Sequence, residues 1–124
     1  MVTALELVIG ALAEKLSVPV ASKIPVSGVS DVFVRVEESA PQAFSPSHDA
    51  VVIIVQVFGR TGQLEKVLDI VGACRDFLRF ELSTVAPNLV GWEEISGPVE
   101  FPDPDLADTH TRWQLSGQVF HTLA

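Results

Sequence analysis

Asp49-Ala50-Val51-Val52-Ile53-Ile54-Val55-Gln56-Val57-Phe58-Gly59 is one long, mostly apolar run, and it leads straight into Thr61–Leu82, where apolar residues recur at helical spacing. Val51 to Val55 are all β-branched, which suits a pleated backbone and loses side-chain freedom in a helix. The odd face (Val51, Ile53, Val55, Val57) and the even face (Val52, Ile54, Gln56, Phe58) are both largely apolar, predicting a central strand covered on both sides. Gly59 breaks the run, and Thr61 is placed to cap a helix. Beyond it Leu64, Val67, Leu68, Val71, Cys74, Arg75 and Leu78 form one stripe, with Gln63, Glu65, Lys66, Asp69, Asp76 and Arg79 mostly on the other side. That pattern predicts a helix lying on a sheet. Gly72 within it marks an expected close approach to a neighbouring backbone. Pro87 bars continuation beyond Ala86.

Working outward, Thr3-Ala4-Leu5-Glu6 has the form of a capping box. Leu5, Val8, Ile9, Leu12 and Leu16 follow at helical spacing, predicting a first helix over Ala4–Leu16 that Ser17-Val18-Pro19 ends. Val18–Pro25 reads as extended, confined by Pro19 and Pro25 to an edge or a loop. Ser27-Gly28 is a turn signal. Asp31–Glu38 alternates, Phe33 and Arg35 against Val32, Val34 and Val36, as in a strand half exposed to water. Ser39–His48, with two prolines, three serines and no periodicity, reads as a long loop or arm. Phe44 within it is expected to tuck back onto the body or to dock on another subunit. Leu89–Ile95 is a further strand, Gly97-Pro98 a turn, and Thr111–Thr122 a final strand with clean alternation. The fold class is α+β over a single domain, residues 1–124. It has a mostly antiparallel sheet, two helices packed on one face, and a long loop between strands.

The 124 residues suffice for one proper core. A hydrophobic content of 48% with 19% charged residues excludes general disorder. No apolar run reaches the roughly 18 residues that span a membrane, and no basic segment precedes an apolar block as in a signal peptide. The lone Cys74 excludes an intrachain disulfide and reads as a small core residue. A net charge of −8, with Lys and Arg scattered singly, argues against duplex nucleic acid as a bound partner. Asp103-Pro104-Asp105, Asp108 and His110 are metal-ligand types, but their spacing misses the calcium-loop pattern and reads as a rigid acidic turn. Glu93 and Glu94 are adjacent on a strand, so they point to opposite faces and cannot flank one bond. His48, His110 and His121 have no serine or cysteine at telling spacing. Phosphate-loop, dinucleotide and nucleophile-elbow motifs are all missing. The expectation is a non-enzymatic assembly domain with no catalytic residue, metal or cofactor.

The whole-chain pattern resembles the tail terminator proteins of long-tailed bacteriophages, the lambda-type minor tail or tail-completion family. The resemblance is carried by the first helix, by Ile24-Pro25-Val26-Ser27-Gly28-Val29-Ser30-Asp31-Val32-Phe33-Val34, by the central strand with its helix, and by the ending. There Gly97-Pro98-Val99-Glu100-Phe101-Pro102-Asp103 leads into Thr111-Arg112-Trp113-Gln114-Leu115-Ser116-Gly117-Gln118-Val119. The resemblance implies a structural virion protein at the head–tail interface, made in the host cytoplasm. It implies a homohexameric ring that caps the tail tube, stops its polymerisation and offers the head–tail joining surface. The implied partners are other copies of the chain, the tail tube protein and head–tail connector proteins; DNA passes through the lumen without specific binding, and no membrane is involved. On that reading Phe44, Arg60, Arg112 and Trp113 are candidate contact residues. Glu93, Glu94, Asp103 and Asp105 are candidates for an acidic lumen or ring surface. An acidic wall keeps passing DNA from sticking. Arg112, near Asp103, Asp105 and Asp108, is expected to tie the acidic turn to the last strand. The head-side joining or stopper proteins share much of the pattern and are the alternative; a small enzyme of unspecified class is the third reading.

Overall fold

The computed structural model describes residues 2–24 and 31–123. The Ser27-Gly28 turn signal, Pro25 and most of the first stretch of the resemblance fall outside the described residues.

Helix α1 (Ala4–Lys15) starts where the capping box places it: Thr3 Oγ1 accepts the Glu6 N–H at 3.1 Å. Such a cap contributes about 1 kcal/mol. Leu16 is extended and Pro19 follows, so the helix stops one residue before the expected end. Strand β1 (Val20–Ala21) then lies parallel to β2 (Phe33–Glu38) at the sheet edge. The central run forms β4 (His48–Arg60), β5 is Leu89–Glu100 and β6 is His110–Thr122. The sheet order is β1-β2-β4-β6-β5, antiparallel except at β1.

Ser39–His48 is not a loop. Gln42–Ser45 forms β3, which pairs Gln42 with Ala50 and Ala43 with Asp49 in a tight hairpin. The thirteen residues of β4 provide room for it. β2 occupies one edge of β4 along Ile53–Phe58, β3 takes the same edge beside His48–Ala50, and β6 pairs along the whole opposite edge.

Helix α2 (Leu64–Phe80) and the single turn α3 (Leu82–Val85) replace the continuous helix expected to Leu82. Thr61 does not cap α2. The residue before the helix is Gln63, whose Oε1 accepts the Arg60 N–H at 2.8 Å and closes the turn from β4. Gly62 holds that turn at φ 103°, a region where other residues are strained.

α1 and α2 pack on the face of the sheet that carries Val34, Val36, Val51, Ile53, Val55, Val57, Leu115 and Val119, and these form a single core with Val8, Leu12, Val67, Val71 and Phe77. The buried stripe of α2 is Val67, Val71, Cys74, Phe77 and Leu78. Leu64 and Leu68 are exposed and Arg75 lies at the rim, so the helix is rotated from the expected stripe. Burial pushes the Cys74 thiol up to about 12, as for a thiol within the core. The close approach is at Gly59, not Gly72. A Cβ at Gly59 would lie 2.3 Å from Val67 Cγ2, whereas one at Gly72 meets nothing within 4 Å. Gly117 serves the same end under β5, where Trp92 lies across it and leaves no room for a Cβ.

Candidate functional site

Among the described residues no helix lies over the other face of the sheet. Residues paired directly across neighbouring strands share a face, so this face collects Phe33, Arg35 and Glu37 from β2, Ala50, Val52, Ile54, Gln56 and Phe58 from β4, and Arg112, Gln114, Ser116, Gln118 and Phe120 from β6. The two ends of this face differ.

At the Phe58 end the sheet is roofed by its own side chains. The Phe33 ring stacks on Phe58 at 4.7 Å between centroids and 5° between planes. The guanidinium groups of Arg35 and Arg112 each lie 5.6 Å from the Phe58 centroid, an arrangement worth about 0.5–2 kcal/mol per cation depending on desolvation. Arg35 Nε donates to Gln56 Oε1 at 2.7 Å, and Gln56 Nε2 donates to Gln114 Oε1 at 3.0 Å. Gln56 is thereby satisfied although only 5% of its surface is exposed, as a buried amide must be. Phe33, expected on a wet face, is buried by its stack on Phe58.

Arg112 is the pivot of this end. Its Nε donates to the Phe101 carbonyl at 2.6 Å, its Nη2 to the Pro102 carbonyl at 3.4 Å, and its Nη1 lies 3.6 Å from Asp103 Oδ2. The Phe101 ring lies 5.0 Å from the guanidinium. The expected tie between last strand and acidic turn is present within the chain, through Asp103. Asp105 instead donates its N–H to Asp103 Oδ1 at 2.9 Å and shapes the turn.

At the His48 end the face is bare. Phe44 is 66% exposed even though its ring meets Phe120 at 4.6 Å across the small Ala50. Of the two expectations for Phe44 the first is met: the ring folds back onto Phe120, and most of its surface stays exposed. Val90 of β5, opposite Phe120, is also exposed. Val99 and Phe101 are exposed as well, but toward the other end, opposite Gln114 and beside Arg112. Val52 and Ile54 are half buried, so the even side of β4 is covered only over Gln56–Phe58.

Among the described residues β5 pairs only with β6, and its outer edge is blunted. Its pairing with β6 shifts register three times, and Gly97-Pro98 forms one of these irregularities instead of the expected turn. Proline, bulges and charge discourage unwanted strand addition. Glu93 is exposed on the open face opposite Gln118. Glu94 turns to the helix side, where Arg75 grips both carboxylate oxygens at 2.8 Å. The paired Arg75 holds the Glu94 carboxyl below the ordinary range and is itself raised by it.

Arg60 closes β4 opposite His110, exposed. Trp113 lies on the helix side and packs against the core; its Nε1 and that of Trp92 are buried without an acceptor among the described residues. The structure thus brings Arg112 and Asp103 together. It leaves Phe44 on the bare end, Arg60 at the sheet end, and Glu93 and Glu94 on opposite faces. The Arg35–Gln56–Gln114 chain escaped the sequence reading; its one signal is a glutamine inside an apolar run. Among the described residues no group of three or more His, Cys, Asp or Glu is placed to hold a metal, and no helix is long and apolar enough to cross a membrane. No protein-family model and no curated protein matches this chain.

Proposed function

We propose that this chain is a structural virion protein, a tail terminator that closes as a homohexameric ring on the end of a phage tail tube. The ring stops tube growth, presents the surface that head–tail connector proteins join, and lets DNA pass through its lumen. The observation that carries the reading is the bare end of the open sheet face, where Phe44, Phe120 and Val90 stand together with no covering element among the described residues. Contiguous exposed apolar surface marks a protein interface. Heterologous contacts that close by rotation give rings.

Charge supports the lumen. Sixteen acidic groups face eight basic ones. Five of the basic groups are held in ion pairs within the chain, by Glu81, Glu37, Asp31, Glu94 and Asp103. The surplus left for the surface is acidic and repels phosphates.

The test has two arms. Light scattering of the purified protein at rising concentration is expected to show a hexamer, and incubation with purified tail tubes is expected to cap them and stop elongation. Phe44→Asp is expected to weaken both. Only monomer at high concentration, together with no tube binding, would sink the proposal; binding to the portal complex in place of the tube would move the protein to the head side.

A further inference from the structure

Two cavities flank helix α1, and Asn88 lines both. One, about 350 Å³, lies between α1 and the α3–β5 connection, with Glu6, Gly10, Glu14 and Val85 in its wall. The other, about 590 Å³, lies at the amino-terminal end of α1 against the ends of β4 and β6, with Val2, Glu38, Asp49, His121 and Leu123 in its wall. The two depressions have Asn88 in common, and their walls together take in α1 from Ala4 to Glu14; the groove comprises both.

The lining has a definite chemistry. Glu6, Glu14, Glu38 and Asp49 contribute four carboxylates, and no Lys or Arg lines either cavity. Among the described residues none of the four is in an ion pair. Glu38 spends one oxygen on the Leu5 N–H at 3.1 Å; the others keep their acceptors. Between these charges the walls are apolar, from Val2, Val51, Leu123 and Val85. Glu6, Gly10 and Glu14 are four residues apart, so they line one side of α1. Gly10 keeps that side open, because a Cβ there meets nothing within 4 Å.

We propose that this groove docks a cationic, apolar-anchored peptide segment of a partner protein. A concave wall of one sign focuses its field on the opposite charge. The apolar walls reward a buried aliphatic anchor, which polyamines and metal ions lack, and nucleic acid carries the wrong sign. The inference does not depend on the ring reading, because it concerns the helix side of the molecule and not the open sheet face.

Fluorescence anisotropy with a labelled peptide of alternating Leu and Lys tests it. The control is a Ser–Lys peptide of equal charge, at roughly physiological ionic strength. The Leu–Lys peptide is expected to bind about tenfold or more tightly than the Ser–Lys one. The double substitution Glu6→Lys, Glu14→Lys should lower its affinity by about tenfold or more, whereas Glu65→Lys, Asp69→Lys on exposed positions of α2 should not. Gly10→Leu fills the groove without meeting a neighbour at Cβ, so it should block binding while leaving the melting temperature unlowered. Equal binding of the two peptides, no binding of either, or parental affinity in Gly10→Leu and Glu6→Lys, Glu14→Lys would overturn the proposal.

Discussion

Ile53 and Phe58 are equally buried, but by different means. Ile53 lies on the side covered by whole elements, α1 and α2, in the apolar core. Phe58 lies on the other side and is sealed by single side chains: the Phe33 ring, two guanidinium groups, and the hydrogen-bonded Arg35–Gln56–Gln114 chain. A few residues along the same face that roof runs out, and Ile54 and Phe120 are only half buried. A sheet face can therefore be closed locally by long polar side chains lying over rings, and it stays available for a partner where they stop. The bare region is defined by the end of that cover.

The comparison can be broken most severely at Phe58. Phe58→Ala should cost about 3–5 kcal/mol and Ile53→Ala about 2–5 kcal/mol, as for core truncations, while Ile54→Ala costs clearly less than either. Chemical denaturation of the three variants decides it: a Phe58 cost no larger than that at Ile54 means the side-chain roof shields little. Next comes Gly117→Ala, whose methyl would meet the Trp92 ring at 2.4 Å; overpacking of this kind costs about 1–3 kcal/mol. Its mark is altered Trp fluorescence alongside a lower denaturation midpoint.

Arg112→Ala should cost about 1–3 kcal/mol, because the residue is 6% exposed and its loss orphans two carbonyls and Asp103. Arg112→Lys should recover only part, since an ammonium cannot match the planar fork. An unchanged midpoint for Arg112→Ala would remove it from the roof. The smallest effect is expected at Glu94. Its folded carboxyl titrates below the ordinary 4.5 because Arg75 favours the charged form. A lowered folded pKa stabilises the fold above the unfolded value, and that contribution is lost as pH falls through the folded one. Glu94→Gln should thus lower the melting temperature slightly at pH 7, and the gap should close as pH falls below 4.5. A gap independent of pH would assign the effect to packing.

Much of the architecture was legible from local pattern. The first helix, the central strand, the final strand and the α+β class all appear as expected, because periods of two and 3.6 report which residues share a face. Where the reading failed, the deciding contacts were distant. β3 is four residues between prolines and shows no alternation of its own; it exists because β4 extends past the end of β2. Gly97-Pro98 looked like a turn, yet the strand continues through it because β6 is there to pair with Val99 and Glu100. The stripe of α2 was misjudged by roughly half a helix position, because periodicity gives an angle without an origin. The sheet beneath sets that origin, burying Phe77 and exposing Leu64. Of the candidate residues, the Arg112–Asp103 tie was legible as charge near charge, and the alternation of the last strand put Trp113 on the side of Leu115 and Val119, where it packs against the core.

Composition and spacing were enough to establish one acidic α+β chain with a greasy central strand, since burial of apolar surface is the largest driving force for folding and its pattern is written locally. Which side of that strand is covered, and by what, was settled only when residues far apart in sequence met. Arg35 and Gln56 are 21 positions apart, and Gln56 and Gln114 are 58. No local period encodes a contact of that range, because it depends on which strands become neighbours.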